Sequence, residues 1–407
     1  MTPTPAPAAL PAPSASAATG AGRLPAVHAF WLLASIVMSF LAASTAPSPL
    51  YGLYREAWGF SALMLTFVFA VYAFALLGGL LVLGGLSDYV GRRPVLLAAL
   101  ALELGSLLIF WQAGSVGWLV AARLLQGLAT GIATATLSAA LLDLNRERGA
   151  LVNSVAPMYG MAFGALFASA LVQFVPQPAH RVFEALAVLL VLQTVAAFFL
   201  PETTQPRAGA WQSLRPKLAI PRPARATMLL ILPMNTALWA LGGFYMSLGP
   251  TLARQVSGLT APLVGGTLLA TLVLSGAAGV MALRNRPARR VLAGSAALLI
   301  TGLAVTLCGV HFHAVLPLFL GSVIAGLGFG GGFNASVRSL VPLAPPEQRG
   351  ALMASFFVLS YLAFSVPALA AGLAAGFFGL QATALGYGGV LMLLCGWAGF
   401  KLAFSRS

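Results

Sequence analysis

Charged residues are scarce in this chain. Only 7% of its 407 residues are Asp, Glu, Lys or Arg and 59% are hydrophobic, whereas soluble domains carry about 25% charged residues. Because so few charges cannot cover the surface of a soluble domain, the composition excludes that class. Apolar runs of about 18 or more residues recur along the chain, and each can cross a hydrocarbon layer of about 30 Å as a helix.

Cysteine is nearly absent, since Cys308 and Cys395 are the only two and both lie in apolar segments. They suggest neither a disulfide framework nor a metal site. The sequence also lacks a phosphate-binding loop and an ATP-binding motif, so we expect no metal, no cofactor and no enzymatic activity. The formal net charge of +14 is spread over short clusters rather than one patch, which argues against a nucleic-acid partner.

Proline, glycine and charge divide the rest of the chain into apolar segments. Pro47 and Pro49 leave two interpretations of the first segment open, an end near Thr45 or a kinked continuation. The Pro/Ala/Ser-rich residues 1–25 lack the features of a signal peptide and are predicted to be a disordered cytoplasmic tail. The twelve predicted segments are 29–52, 61–83, 94–111, 117–141, 149–174, 181–200, 226–250, 260–282, 290–310, 314–340, 350–376 and 381–403.

The basic residues predict the orientation of the segments. Arg123 and Arg338 fall inside segments and Arg55, Arg181 and Arg254 fall in loops on one side, while the other seventeen of the 22 Lys and Arg residues lie on the side of the termini. Because cytoplasmic loops are enriched in Lys and Arg, we expect a multi-pass protein of the plasma (inner) membrane with both termini in the cytoplasm.

The chain shows signs of an internal duplication. A proline-rich, basic linker at 201–225 separates two parts, 26–200 and 226–404, that hold six segments each. The stretch "ERGALVNSVAPMYGMAFGAL" from Glu147 parallels "QRGALMASFFVLSYLAFSVP" from Gln348, and "WGFSA" parallels "SGLTA" at nearly the same offset. We therefore predict an all-α membrane protein of twelve transmembrane helices in two pseudo-symmetric six-helix bundles, with a cavity between them.

Three motifs carry a family resemblance. The loop after the second segment holds Gly84, Asp88, Gly91, Arg92 and Arg93, the fourth segment holds Arg123, Gln126 and Gly127 in an Arg-x-x-Gln-Gly pattern, and "PETT" follows the sixth. With twelve segments and a central linker, these motifs resemble those of the major facilitator superfamily of secondary transporters.

The resemblance implies that the first motif is a latch which closes the cytoplasmic side. Asp88 is then expected to face the N-terminus of the eleventh helix near Gly350, and Arg92 to pair with Asp143. Gly84 and Gly91 would permit a tight turn and close helix approach. The alternative is that Arg92 and Arg93 only anchor the loop, which leaves Asp88 and the glycines unexplained. Tyr89 departs from the usual basic residue, which puts one supporting contact in doubt.

Arg123 and Glu103 are charges that lie well inside predicted membrane segments, where a charge costs about 2.5–3.5 kcal/mol or more. Arg123, Gly127, Thr130 and Thr134 share one helix face, which the resemblance directs toward the central cavity, and structural hydrogen bonding of Arg123 is the alternative. Glu103 lies near the membrane midplane. Because burial disfavours a charged carboxyl, it is a candidate for proton coupling, whereas the peripheral place that the resemblance gives the third helix favours a structural role.

Further polar and aromatic candidates for contact with a solute are Tyr159, Asn235, Trp239, Asn334 and Tyr361, with helix packing as the alternative for each. We expect alternating-access transport of a small organic solute by a monomer in a lipid bilayer, driven by a solute or proton gradient. Aromatic and Met residues favour export of an amphipathic compound. Proton-linked metabolite uptake is the alternative, and a transporter-fold receptor that binds without moving its ligand is a further one.

Overall fold

The computed structural model describes residues 24–404, a range that contains helices and no strand. Most of the predicted tail at 1–25 lies outside that range. Twelve helices are long and apolar enough to span a membrane, and this confirms the predicted fold class. They are α1 Ala26–Thr45, α2 Ala62–Leu83, α3 Arg92–Trp111, α4 Val116–Leu144, α5 Arg146–Phe174, α6 Pro178–Ala197, α7 Arg222–Ser247, α8 Pro262–Leu283, α9 Ala288–His311, α10 Val315–Leu340, α11 Arg349–Phe378 and α12 Leu380–Phe404.

The prolines after α1 divide the helix without ending it. Ala46 keeps right-handed helical geometry, and a second piece, Pro47–Trp58, continues from it. Pro47 opens this piece, where proline is tolerated because the first turn of a helix has no internal acceptor for its N–H groups. The first segment therefore continues as helix beyond Thr45 and does not end there.

The same feature recurs in the second half, where Gly249–Ser257 follows α7. Both continuations end at a glycine with a φ of 66°, Gly59 in the first half and Gly258 in the second. Glycine adopts this left-handed conformation without the steric cost that other residues pay. These glycines lie in the two short stretches whose similarity predicted a duplication.

The helices of the two halves pack in the same order. In the first half α4 packs against α2 and α3, α1 against α5, and α3 against α6. In the second half α10 packs against α8 and α9, α7 against α11, and α9 against α12, which is the same pattern shifted by six helices. The halves meet along two seams, α2 with α11 and α5 with α8. The shift by six helices that relates the halves converts each seam into the other.

The bundle has two ends, which we call the linker face and the far face. The linker face carries the connection 198–221 between α6 and α7, and the far face is opposite. Both seams are tight near the far face, since a Cβ atom on Gly266 of α8 would overlap Ser169 Oγ of α5, and one on Gly372 of α11 would overlap Thr66 of α2. Glycine at these positions permits close approach of helix backbones.

Burial shows which end of the bundle is closed. Every residue of 42–51 and of 240–249, the runs that extend α1 and α7 toward the far face, is buried. By contrast, Gly149 is the only buried residue of 146–155 at the linker-face end of α5, and a Cβ atom on Gly350 at the start of α11 would meet nothing within 4 Å. The halves are therefore joined at the far face and separated by a cleft that opens at the linker face.

Candidate functional site

The loop between α2 and α3 is organised by a carboxylate from beyond α6. Glu202 Oε1 accepts a hydrogen bond from the backbone N–H of Arg92 at 2.8 Å, and its Oε2 accepts from that of Arg93 at 3.0 Å. These are free N–H groups of the first turn of α3, so the carboxylate also lies at the positive end of the helix dipole. Gly91 has a φ of 110°, and a Cβ atom there would lie 2.7 Å from Glu202 Oε2.

Arg92 links this loop to the end of α4. Its Nη1 lies 2.5 Å from Asp88 Oδ1 and donates to Ser87 Oγ at 2.8 Å, while its Nε donates to Asp143 Oδ2 at 3.2 Å. Thr203, next to Glu202, donates to the same Asp143 oxygen at 2.9 Å. The expected pair of Arg92 with Asp143 is thus present, within a network that includes the "PETT" residues.

The expected contact between Asp88 and α11 is absent from the structure. Within residues 24–404, Arg92 is the hydrogen-bonding or ionic partner of Asp88, whose side chain is 45% exposed. The predicted contact of the latch with α11 is therefore not made in this conformation. Arg93 meanwhile donates to the carbonyl of Phe198 at 3.3 Å and holds the loop to the end of α6.

Arg123 is fully buried on α4 and is held by α1 and its continuation. Its Nε donates to the Tyr51 hydroxyl at 2.8 Å, and its Nη1 donates to the carbonyl of Ser44 at 2.8 Å and to Gln126 Oε1 at 2.7 Å. The guanidinium carbon also lies 5.2 Å from the centroid of the Tyr72 ring on α2, within the range of a cation–π interaction. These contacts offset the cost of removing the cation from water.

Gln126 connects Arg123 to Glu103, two residues that are 20 positions apart and on different helices. Its Nε2 donates to Glu103 Oε1 at 3.0 Å and to the carbonyl of Ala43 at 3.1 Å, so the amide lies between the cation and the carboxyl. Glu103 is fully buried, and its Oε2 and Arg123 Nη2 have no hydrogen-bond partner among the described residues. We call Tyr51, Glu103, Arg123 and Gln126 the buried network.

The α4 face that was expected to line the cavity is largely occupied by protein. A Cβ atom on Gly127 would overlap the Tyr72 carbonyl, and Thr130 is buried and donates to the carbonyl of Gln126. Of the four residues of that face, only Thr134 is partly exposed. Gly127 and Thr130 therefore differ from the predicted cavity contact, because α1 and α2 pack over them, and Arg123 makes the structural hydrogen bonds that were its alternative. Gly84, after the end of α2, permits close approach to α4, since a Cβ atom there would lie 3.3 Å from the Cβ of Ala135.

Aromatic rings from α7, α10 and α11 form a cluster at the middle of the second half. Trp239 makes edge contacts with the rings of Phe333, Phe357, Tyr361 and Phe364, whose centroids lie 4.9–6.5 Å from its own. All of these rings except the buried Phe364 are partly exposed. We call the five residues the aromatic cluster; it supplies a broad apolar surface between the halves.

The remaining sequence candidates divide into packing and accessible positions. Asn235 is 1% exposed and donates to Ser360 Oγ at 2.9 Å, which ties α7 to α11. Asn334 is partly exposed on α10. Tyr159 on α5 is 38% exposed, and its hydroxyl lies 3.8 Å from the sulfur of Met281 on α8, across the boundary between the halves.

Two residues that organise these sites, Glu202 and Tyr51, were not among the candidates predicted from the sequence. Glu202 lies about 110 positions from the amides that it caps, and the only sequence signal was its place in "PETT". Tyr51 lies in a segment that was assigned to a possible helix end because of its prolines. It nevertheless supplies the hydroxyl that receives the Arg123 Nε–H bond.

Comparisons with known proteins agree with this geometry. The sequence matches the family described as Major Facilitator Superfamily over residues 32–305. The fold is similar to that of the human organic anion transporter MFSD10 (TETRAN), with a TM-score of 0.65, 19% identity, and coverage of 92% of this chain and 100% of that one. It is also similar to a mutant form of the nucleoside transporter NupG, with a TM-score of 0.74, 12% identity, and coverage of 94% and 100%. A search of curated protein sequences gives no match.

Replacement of Glu202 tests whether its carboxylate holds the loop before α3. Glu202→Gln keeps the shape but replaces one acceptor oxygen with an NH2 group, which faces a backbone N–H and cannot accept from it. We expect the free energy of unfolding to fall by about 1.5–3 kcal/mol, the contribution of a hydrogen bond to a charged group. The midpoint of thermal unfolding in detergent, followed by tryptophan fluorescence at one scan rate, should fall accordingly.

The matched control is Glu347→Gln, which makes the same chemical change at an exposed position on the linker face. This control should leave the midpoint unchanged. Equal midpoints for Glu202→Gln and the unmodified protein would contradict the assigned role of Glu202.

Proposed function

This chain belongs to the major facilitator superfamily of transporters, and on that premise we propose that it is a secondary active transporter of a small amphipathic organic solute, directed toward export. The proposal rests on alternating access, in which the halves close at one face as they separate at the other. The closed far face and the cleft at the linker face support it, because this mechanism requires a state of that shape.

The aromatic cluster is the observation that carries the choice of solute. Its rings offer flat apolar area at mid-depth, and aromatic surfaces bind planar or apolar groups by stacking and edge contacts. Among the described residues, Glu103 and Arg123 are the only buried charged side chains, and both are engaged in the buried network. The five residues of the aromatic cluster are themselves uncharged, which favours a solute with a large apolar part.

The solved structures of similar fold support an organic solute in general terms. One carries organic anions and the other nucleosides, as their names state. Their identities to this chain are 19% and 12%, so they support the fold and leave the specificity to the residues of the cleft. The partly exposed Asn334 and Tyr159 are the polar groups that we assign to the solute's polar end.

The linker face is assigned to the cytoplasm because most basic residues lie there. The cleft then opens toward the cytoplasm, where an exported solute would enter. In the opposite state the linker-face ends of α2 and α11 approach each other, and Asp88 comes within reach of the first turn of α11. The latch would then stabilise the state that is open at the far face.

Trp239 tests the solute site. Trp239→Ala removes the central ring of the aromatic cluster, and truncation of an aromatic anchor at the centre of a binding surface typically costs about 2 kcal/mol in binding, or roughly 30-fold in affinity. We expect the half-saturating concentration in proteoliposome counterflow, assayed with a panel of amphipathic aromatic compounds, to rise by that factor. Trp239→Phe should retain most of the affinity.

The matched control is Trp397→Ala, since Trp397 lies on α12 and is 53% exposed away from the cluster. Its counterflow should equal that of the unmodified protein. If Trp239→Ala transports every compound with unchanged half-saturation, the aromatic cluster is packing alone and the proposed site is wrong.

We assign proton coupling to Glu103. Its carboxyl is the only buried acid among the described residues, it has one oxygen without a partner, and it is joined through Gln126 to the cation of Arg123. A protonated carboxyl would leave the Arg123 charge uncompensated, whereas an ionised one would balance it. Gain and loss of one proton would therefore alter the charge of a network that binds α1, α3 and α4 together.

Glu103→Gln tests this coupling, because the neutral amide imitates the protonated acid. We expect uphill transport driven by a pH gradient to be lost while solute counterflow persists, since counterflow requires no net proton movement. Both activities are measured in the same proteoliposomes, with Glu184→Gln as a control at a partly exposed acid on α6. Retention of uphill transport by Glu103→Gln would remove Glu103 from the coupling mechanism.

Proton-linked uptake is the second candidate function. It uses the same buried network. Export and uptake are distinguished by the direction of the proton gradient that drives accumulation of the solute. Antiport with an inwardly directed gradient indicates export, whereas symport indicates uptake.

A further inference from the structure

The linker between the halves is fixed at one end to the loop before α3. The backbone N–H of Arg207 donates to the carbonyl of Tyr89 at 2.9 Å, and the Arg207 guanidinium carbon lies 4.6 Å from the centroid of the Tyr89 ring. Gly209 has a φ of 107°, and a Cβ atom there would lie 3.3 Å from the same ring. Tyr89, the departure from the family motif, is therefore the docking point of the linker.

The other end of the linker is fixed to the second half. The backbone N–H of Ala219 donates to the carbonyl of Ala351, in the first turn of α11, at 3.4 Å. Residues 207–219 thus run across the linker face from one half to the other. We call this segment the strap.

The middle of the strap combines exposed apolar and basic side chains. Trp211 is 83% exposed and Leu218 is 53% exposed, and Arg215 and Lys217 between them are exposed as well. Within the described residues, neither Arg215 nor Lys217 forms an ion pair, since Glu202, the acid of the linker, is occupied by the amides of α3.

The position of the strap indicates what covers these side chains. It docks on the loop that directly follows α2 and ends just before α7, so it lies at the level where the apolar spans end. Tryptophan is enriched at this level of a membrane because its ring is apolar and its N–H is polar. Basic side chains beside it are attracted to anionic headgroups.

We propose that the strap is a binding site for anionic lipid, in which Arg215 and Lys217 contact the headgroups and Trp211 enters the interface. The exposed charge of these two side chains is of one sign and unpaired, which selects an anionic lipid surface over a neutral one. Because the strap is bonded to both halves, lipid bound there restrains their separation at the linker face.

Quenching of Trp211 by brominated lipid tests the proposal. The full-length protein is reconstituted in two mixtures with the same ratio of phosphatidylglycerol to phosphatidylcholine. In the first mixture only the phosphatidylglycerol is dibrominated, and in the second only the phosphatidylcholine is dibrominated. The Trp211 signal is the difference between the unmodified protein and Trp211→Phe, since the other tryptophans are common to both. We expect this signal to be quenched more strongly when the anionic lipid carries the bromine.

Charge neutralisation separates specific binding from general attraction. The double variant Arg215→Gln with Lys217→Gln should abolish the preference for the anionic lipid. Each basic residue that is removed should lower the affinity for anionic lipid roughly fivefold. The control, Arg286→Gln with Arg290→Gln, removes two exposed charges from the same face outside the strap and should leave the preference intact.

Three results would each overturn the proposal: no quenching of Trp211 by either lipid, equal quenching by both, or loss of the preference in the control pair. The first would place Trp211 in water, the second would indicate apolar insertion without selection of charge, and the third would indicate a response to net charge alone. Transport in these variants is a separate readout, so failure of the proposed function leaves this test unaffected.

Discussion

The burial of the Arg123 cation is the constraint on which the first half depends. A guanidinium without solvent exposure requires acceptors from its surroundings, and here they come from α1, from its continuation and from α4 itself. Gln126 extends the contacts to α3 through Glu103. Four elements are thereby joined by polar bonds in an apolar medium, so relative motion is easier between the halves than within the first half.

The two halves repeat the same helix packing but carry different chemistry. The first half holds the buried network and the loop organised by Glu202, whereas the second half holds the aromatic cluster. The corresponding loop of the second half lacks an acid, and Arg338 of α10 instead donates to the carbonyls of Arg284 and Arg286 at 2.6 and 3.0 Å. We interpret this asymmetry as a division between coupling and gating in the first half and solute contact in the second.

Sequence patterns predicted the twelve helices and their two-fold repetition because apolar length and local similarity are properties of contiguous segments. They also predicted the Arg92–Asp143 pair through a family motif. They could not predict that Glu202 caps α3 or that Gln126 joins Arg123 to Glu103, because those contacts depend on which helices become neighbours. The prediction that this face of α4 lines the cavity was wrong for the same reason. Gly127 and Thr130 do lie on one face, but α1 and α2 cover it.

Alternating access requires that the halves exchange closure between the two faces. Distances between spin labels test it most directly, with one pair at Glu147 and Arg286 on the linker face and another at Phe174 and Leu259 on the far face, all exposed positions. The account predicts that solute or a change of pH shortens the first distance and lengthens the second in the same fraction of molecules. Alternating access would be contradicted if neither distance changed under any condition, or if the two distances changed independently of each other.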